Sequence, residues 1–230
     1  MKYLKYAVLP LASLSTFALS TYGQTTIAFT DAERVNESGG SGSWFYSGAT
    51  DALLAGNASS GNTVFETALI FDISSFDAEI SSASSITLNV AYSAKLGDGQ
   101  DVTAYLVGTN SSSLGSVGMD ADTAHGIATT GTSAGTILAG DFSVTGGVAS
   151  YDVTSIVQSQ TTFDYVAVLL TSGITADTSS TAHDIQFYRK NTLSSEPNGG
   201  AYLTVVPEPQ AFGLIAGSLG FAWLMLRRRR

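Results

Sequence analysis

Cysteine is absent from this chain of 230 residues, which excludes disulfides, thiolate nucleophiles and cysteine-based zinc or iron–sulfur centres together. Histidine is almost as scarce. His125 and His183 are the only two, and neither lies in an H-E-x-x-H or similar ligand spacing, so no histidine zinc centre is expected. Charged residues make up 13% of the chain, too few for a disordered or coiled-coil protein. Basic residues are the scarcer sign: between Gln24 and Val206 there are four against eighteen acidic ones, a net charge of −14. With no basic stripe, such a body repels a phosphate backbone, and nucleic acid is not an expected partner.

What the sequence does have is apolar residues, 44% of the total, and glycine, 24 residues, against only 4 prolines. That composition suits many short strands joined by small-residue turns. Apolar residues recur at every second position in Ile86, Leu88, Val90 and Tyr92, in Val102, Ala104 and Leu106, and in Val166, Val168 and Leu170. This is the period of a strand with one buried face. Val64 to Ile73 is more continuously apolar, as a central strand covered on both sides requires. Ala201 to Val206 reads as a closing strand, with turns at Gly97-Asp98-Gly99 and Gly146-Gly147. No stretch of the body holds a 3.6-residue apolar period over three turns. The expected fold is all-β, an antiparallel β-sandwich of jelly-roll type spanning residues 24–205, with a helical turn at Thr154 to Gln158 that Asp152 is placed to cap.

The two ends read differently. Met1 to Gly23 carries Lys2 and Lys5, then an apolar stretch from Ala7 to Leu19, then small residues, the layout of a secretory signal peptide cleaved after Ser20 or Gly23. At the other end Val206-Pro207-Glu208-Pro209 precedes an uncharged apolar run from Ala211 to Leu226 and the cluster Arg227, Arg228, Arg229 and Arg230. Sixteen helical residues span about 24 Å, short of a bilayer core but workable as a single transmembrane helix. The arginines would stay on the cytoplasmic side, leaving the body outside. Residues 206–230 resemble the PEP-CTERM sorting signal of bacterial surface proteins. The resemblance implies recognition by an exosortase-type processing enzyme, which cuts near the motif, discards the helix and passes the body to the cell surface or exopolysaccharide matrix.

Within the body, TALIFDISSF (Thr67 to Phe76), YDVTSIVQSQ (Tyr151 to Gln160), and FYRKNT (Phe187 to Thr192) followed by AYLTVV (Ala201 to Val206) resemble the landmarks of DNRLRE-type domains, with TDAERVNESG (Thr30 to Gly39) matching their opening segment. That resemblance implies a β-sandwich related to carbohydrate-binding modules. On physical grounds the same landmarks are structural, with Phe71 and Ile73 in the core and Arg189 paired to a carboxylate.

Candidate chemistry is sparse. Gly131-Thr132-Ser133-Ala134-Gly135 fits G-x-S-x-G, and Asp152 or Asp164 with His183 follow in the chain order of a hydrolase triad. The stretch around Ser133 reads as turns, without the strand and helix that a nucleophile elbow needs. Glu66, on a predicted strand, faces solvent or a substrate. Asp98 and Asp101, and Asp120 and Asp122, are paired carboxylates in loops whose hard oxygens suit calcium. Trp44, Phe45 and Tyr46 form the one aromatic cluster; Trp44 and Tyr46 share a face in a strand, and with Tyr188 they are the candidate glycan-binding residues. A neutral polymer suits so acidic a body. The reading that results is an exported, non-enzymatic cell-surface or matrix protein with extracellular polysaccharide as its candidate ligand and no cofactor beyond that candidate calcium. The alternative is a secreted polysaccharide-degrading or ester-cleaving hydrolase.

Overall fold

The computed structural model describes residues 24–37, 42–47, 52–57, 63–115, 117–173, 183–188 and 200–208. Segment 1–23, expected as a signal peptide, the apolar run 211–226, Pro209, Arg189 and the arginines at 227–230 lie outside them. No helix among the described residues is long and apolar enough to cross a membrane.

The described chain is all-β and antiparallel. Its strands are β1 (Thr25–Glu37), β2 (Trp44–Ser47), β3 (Ala52–Asn57), β4 (Val64–Asp72), β5 (Ala83–Leu96), β6 (Val102–Thr109), β7 (Thr132–Ile137), β8 (Gly147–Asp152), β9 (Tyr165–Thr171), β10 (His183–Tyr188) and β11 (Ala201–Pro207). They hydrogen-bond in the order β2-β1-β11-β5-β10-β3-β4-β9-β6-β7, with β8 on β5 and a further pairing of β1 with β4. The sheet folds over on itself into a sandwich-like body, and β1 belongs to both layers. Its first residues pair with β11 (Thr25 opposite Val205). After a bulge between Phe29 and Asp31, the rest pairs with β4, Ala32 opposite Leu69 through Glu37 opposite Val64. The bulge is pinned by Thr30, whose hydroxyl donates to the Ile70 carbonyl, and by Asp31, which accepts from the amides of Ala32 and Leu114.

The alternating residues read from the sequence line the main core. Ile86, Leu88 and Val90 of β5, Val102, Ala104 and Leu106 of β6, and Val166, Val168 and Leu170 of β9 all point into it, with Phe71 and Ile73 fully buried. The opposite face of β4 and β9 is buried as well: Ala68, Ile70, Ala167 and Leu169 meet a second, smaller core. This double burial explains why VFETALIFD and YVAVLLT are apolar at nearly every position.

A helix covers that second core, beginning where the sequence places Asp120 and Asp122 in a loop. α2 (Ala121–Thr130) sets Ala121, Ala124 and Ile127 into it. Asp120 caps the helix, its carboxylate accepting the Thr123 amide at 2.7 Å. Two shorter helices, α1 (Asp77–Ser81) and α3 (Thr154–Gln158), complete the body. α3 has the expected limits. Asp152 bonds the Thr154 amide and hydroxyl from two residues upstream, while Val153 occupies the cap position itself.

Two further expectations are corrected. The last strand runs one residue further than expected, through Pro207, because a strand end held by a single neighbour needs no amide donor from its final residue. It lies between β1 and β5. Ser133 of the G-x-S-x-G string lies on β7, downstream of α2. A helix therefore precedes the strand that carries it, the reverse of a nucleophile elbow.

Candidate functional site

The site assembles where α2 meets the edge strand β2. β2 pairs with the end of β1, Trp44 opposite Glu37 and Tyr46 opposite Val35, which turns the two rings toward the second core while Phe45, 45% exposed, points away. Trp44 and Tyr46 are half-buried. The Tyr46 hydroxyl donates to the carbonyls of Met119 and Asp120 at 2.8 and 3.1 Å, just ahead of α2. Burial pushes its ionisation well above the usual tyrosine value, and the charges of Asp120, Glu33 and Asp31 add to that. The Trp44 amide donates to Asp122 in the first turn of α2 at 3.2 Å. Asp120 and Asp122, expected in a loop, thus flank a helix start and tie β2 to it.

One turn further along α2, His125 stacks on the Trp44 indole with ring centroids 3.8 Å apart and planes 12° from parallel. Its Nδ1 meets Glu66 Oε2 of β4 at 2.9 Å. The Glu66 side chain is 3% exposed and the His125 side chain 37%, so the pair joins a buried anion to a solvent-facing ring. The hydrogen bond to Glu66 lifts the imidazole above its ordinary ionisation range, partial burial opposes this, and the charges of Glu66, Glu37 and Asp122 reinforce it. An imidazolium between an indole face and three carboxylates is electrostatically consistent, because the ring quadrupole and the anions favour the same charge.

The arrangement therefore presents a half-buried indole whose orientation is set by a chain of contacts running into the core: Trp44 to His125 to Glu66. Sequence reasoning treated Glu66 as facing solvent or substrate and gave His125 no role. The available sign was Asp120 with Thr123 as a helix start, followed by Ala121, Ala124 and Ile127 at helical spacing. Gly126 and the threonines at 129 and 130 masked it.

The remaining candidates do not gather here. Tyr188 is half-buried on β10, which pairs with β3 and β5, away from the β2 edge. Asp101 accepts the Ala139 amide at 2.7 Å, and the Asp98 amide donates to His183 Nδ1 at 3.3 Å. Asp120, Asp122 and Asp101 thus each hold a backbone amide, and among the described residues no three histidine, aspartate or glutamate side chains gather as a metal site.

A second polar grouping lies where β1, β4, β3 and β10 adjoin. The register aligns Asn36 with Phe65, Phe65 with Gly56 and Gly56 with Asp184. Gly56 has φ +143°, and a Cβ there would run into the His183 carbonyl and Asp184. The Arg34 guanidinium lies 5.0 Å above the Phe65 ring centroid and donates to the Ser47 hydroxyl. Asp184 is 4% exposed. Burial pushes its carboxyl from 3.8 up to about 6, against a hydrogen bond from Gln186 and the nearby charges of Arg34 and His183. Asp184 Oδ1, Asn36 Oδ1, Arg34 Nε and both amide atoms of Asn57 are buried with no hydrogen-bond partner among the described residues.

No protein-family profile matches the chain, and no curated protein does.

Proposed function

We propose that this chain is an exported, non-enzymatic surface or matrix protein. Its signal peptide and C-terminal motif, transmembrane helix and arginine cluster direct delivery and hand-over by an exosortase-type enzyme. Its body is a jelly-roll-like sandwich akin to DNRLRE-type domains that holds extracellular polysaccharide. The observation that carries the binding reading is the Trp44 ring, half-buried on the β2 edge and backed by His125 at 3.8 Å. A ring held flat in advance loses little freedom when a sugar ring settles on it. Hydrogen-bonding carboxylates at its margin, Glu37 and Asp122, suit the hydroxyls of a neutral polymer.

The test is binding of the purified protein to a panel of neutral and anionic polysaccharides, repeated with Trp44→Ala. The expected result is retention of a neutral polymer and at least about a tenfold loss of affinity in the variant, equivalent to about 1.4 kcal/mol. Full binding by the variant would remove this site, and no binding by the parent would leave a purely structural matrix role.

A further inference from the structure

Val206 and Pro207, the first two residues of the C-terminal motif, are part of the folded sheet, and Glu208 is tied to it by its amide. Val206 lies opposite Ser85 and Pro207 opposite Ala83, with a bulge at the intervening step. The bulge turns the Ser84 hydroxyl toward the two motif carbonyls, Val206 O at 3.1 Å and Pro207 O at 3.4 Å. The Glu208 amide then donates to the Ser82 carbonyl at 2.9 Å. Upstream, the strand is held on both sides, by β5 and, as far as Val205, by β1.

We infer that the fold itself sets the inner limit of processing. The enzyme that releases the C-terminal segment hydrolyses a bond beyond Glu208, and the mature protein keeps Val206 and Pro207 as the end of its last strand, with Glu208 just after it. The inference rests on the proposed reading of the motif as a processing tag. Its physical basis is that processing enzymes take their substrates as extended chains, through main-chain hydrogen bonds on either side of the bond to be cut. From Ala201 to Glu208 those same groups are engaged by β5, β1, Ser84 and Ser82, so cutting there requires the strand to be peeled away first. In the reaction, water adds across one amide. Its hydroxyl goes to the carbonyl carbon of the retained residue, which ends as a carboxylate, and a proton goes to the nitrogen of the released segment, which leaves as an amine.

Two measurements test this on the full chain. The first is the intact mass of the protein recovered from the surface of cells that carry an exosortase-type enzyme. A C-terminus at Glu208 or later, but short of Arg230, supports the inference. One between Ala201 and Pro207 overturns it while leaving the sorting reading intact, and an uncut chain ending at Arg230 overturns the sorting reading instead. The second needs no sorting enzyme: the purified full chain in detergent is exposed to a post-proline endopeptidase, native and urea-unfolded. Cleavage of the Pro207–Glu208 bond is expected to be at least about tenfold slower in the native chain, because the Pro207 carbonyl and the Glu208 amide are held by Ser84 and Ser82 there and are released only in the opened state. Equal rates would show that the strand end does not protect the motif, and would sink the inference whatever the cells do.

Discussion

Replacing Asp184 with asparagine is expected to stabilise the protein at neutral pH. The carboxyl is buried at 4% exposure and its folded ionisation point rises from 3.8 to about 6. Below pH 3.8 the group is protonated in both states and costs nothing. Between 3.8 and 6 the unfolded chain gives up its proton first, which favours unfolding. Above 6 the folded state carries a buried charge and the full penalty applies. A rise of about two pH units at 1.36 kcal/mol each sets a ceiling of about 3 kcal/mol. The attraction to Arg34 is already contained in that net rise; the asparagine amide, which reproduces the protonated carboxyl imperfectly, brings the gain below the ceiling. A net gain of about 1–2 kcal/mol at pH 8 is therefore expected for Asp184→Asn, a rise in Tm of about 2–8 °C for a body of this size. At pH 4 the gain should fall to near zero. Thermal or urea melts of parent and variant at the two pH values check the point. If the variant were less stable than the parent at pH 8, the attraction to Arg34 would outweigh the burial cost and the reasoning would fail.

Two other substitutions probe the Trp44 site. His125→Ala leaves the Glu66 carboxylate buried without its partner, and a loss of about 1–3 kcal/mol is expected near pH 6. Because the imidazole's ionisation is raised in the folded state, its contribution is fully present below 6.5 and fades as pH rises through the raised value. The gap between parent and variant in denaturant melts should thus narrow toward alkaline pH, and a gap that widens would contradict the pairing. Asp120→Ala removes the cap of α2 and should cost about 1 kcal/mol by the same melts, with a parallel change in the fluorescence of Trp44, whose partner His125 rides on that helix. Unchanged stability would mean the cap contributes nothing.

The sheet was legible in the sequence where each strand has one consistent face. Ile86 to Tyr92 and Val102 to Leu106 alternate because one face of each strand lies in the main core while the residues between, such as Thr87, Asn89 and Thr103, stay half-open on the other face, and Val64 to Ile73 loses the alternation because both its faces are covered. α2 was not legible, since a ten-residue helix that contributes three small or medium apolar residues leaves a weak period, and its stability comes from packing on β4 and β9 rather than from propensity. For the same reason the site was only half visible. The aromatic cluster stood out by composition, but the Glu66–His125 pair joins positions 59 residues apart, a contact that depends on how α2 lies across the sheet. The candidate calcium carboxylates were conspicuous as loop acids, yet Asp101, Asp120 and Asp122 each hold an amide, a common use of aspartate beside turns and helix starts.

The pairing of Thr25 with Val205 bears on the timing of assembly. A chain that emerges amino end first, from a ribosome or a translocation pore, presents β1 at the outset but cannot complete its neighbours until β11 follows, some 180 positions later. The first strand thus waits for the last, and the seam between them shuts only when nearly the whole body is out. A variant truncated before Ala201 would leave that seam open, with the hydrogen-bonding edges of β1 and β5 that flank it unpaired.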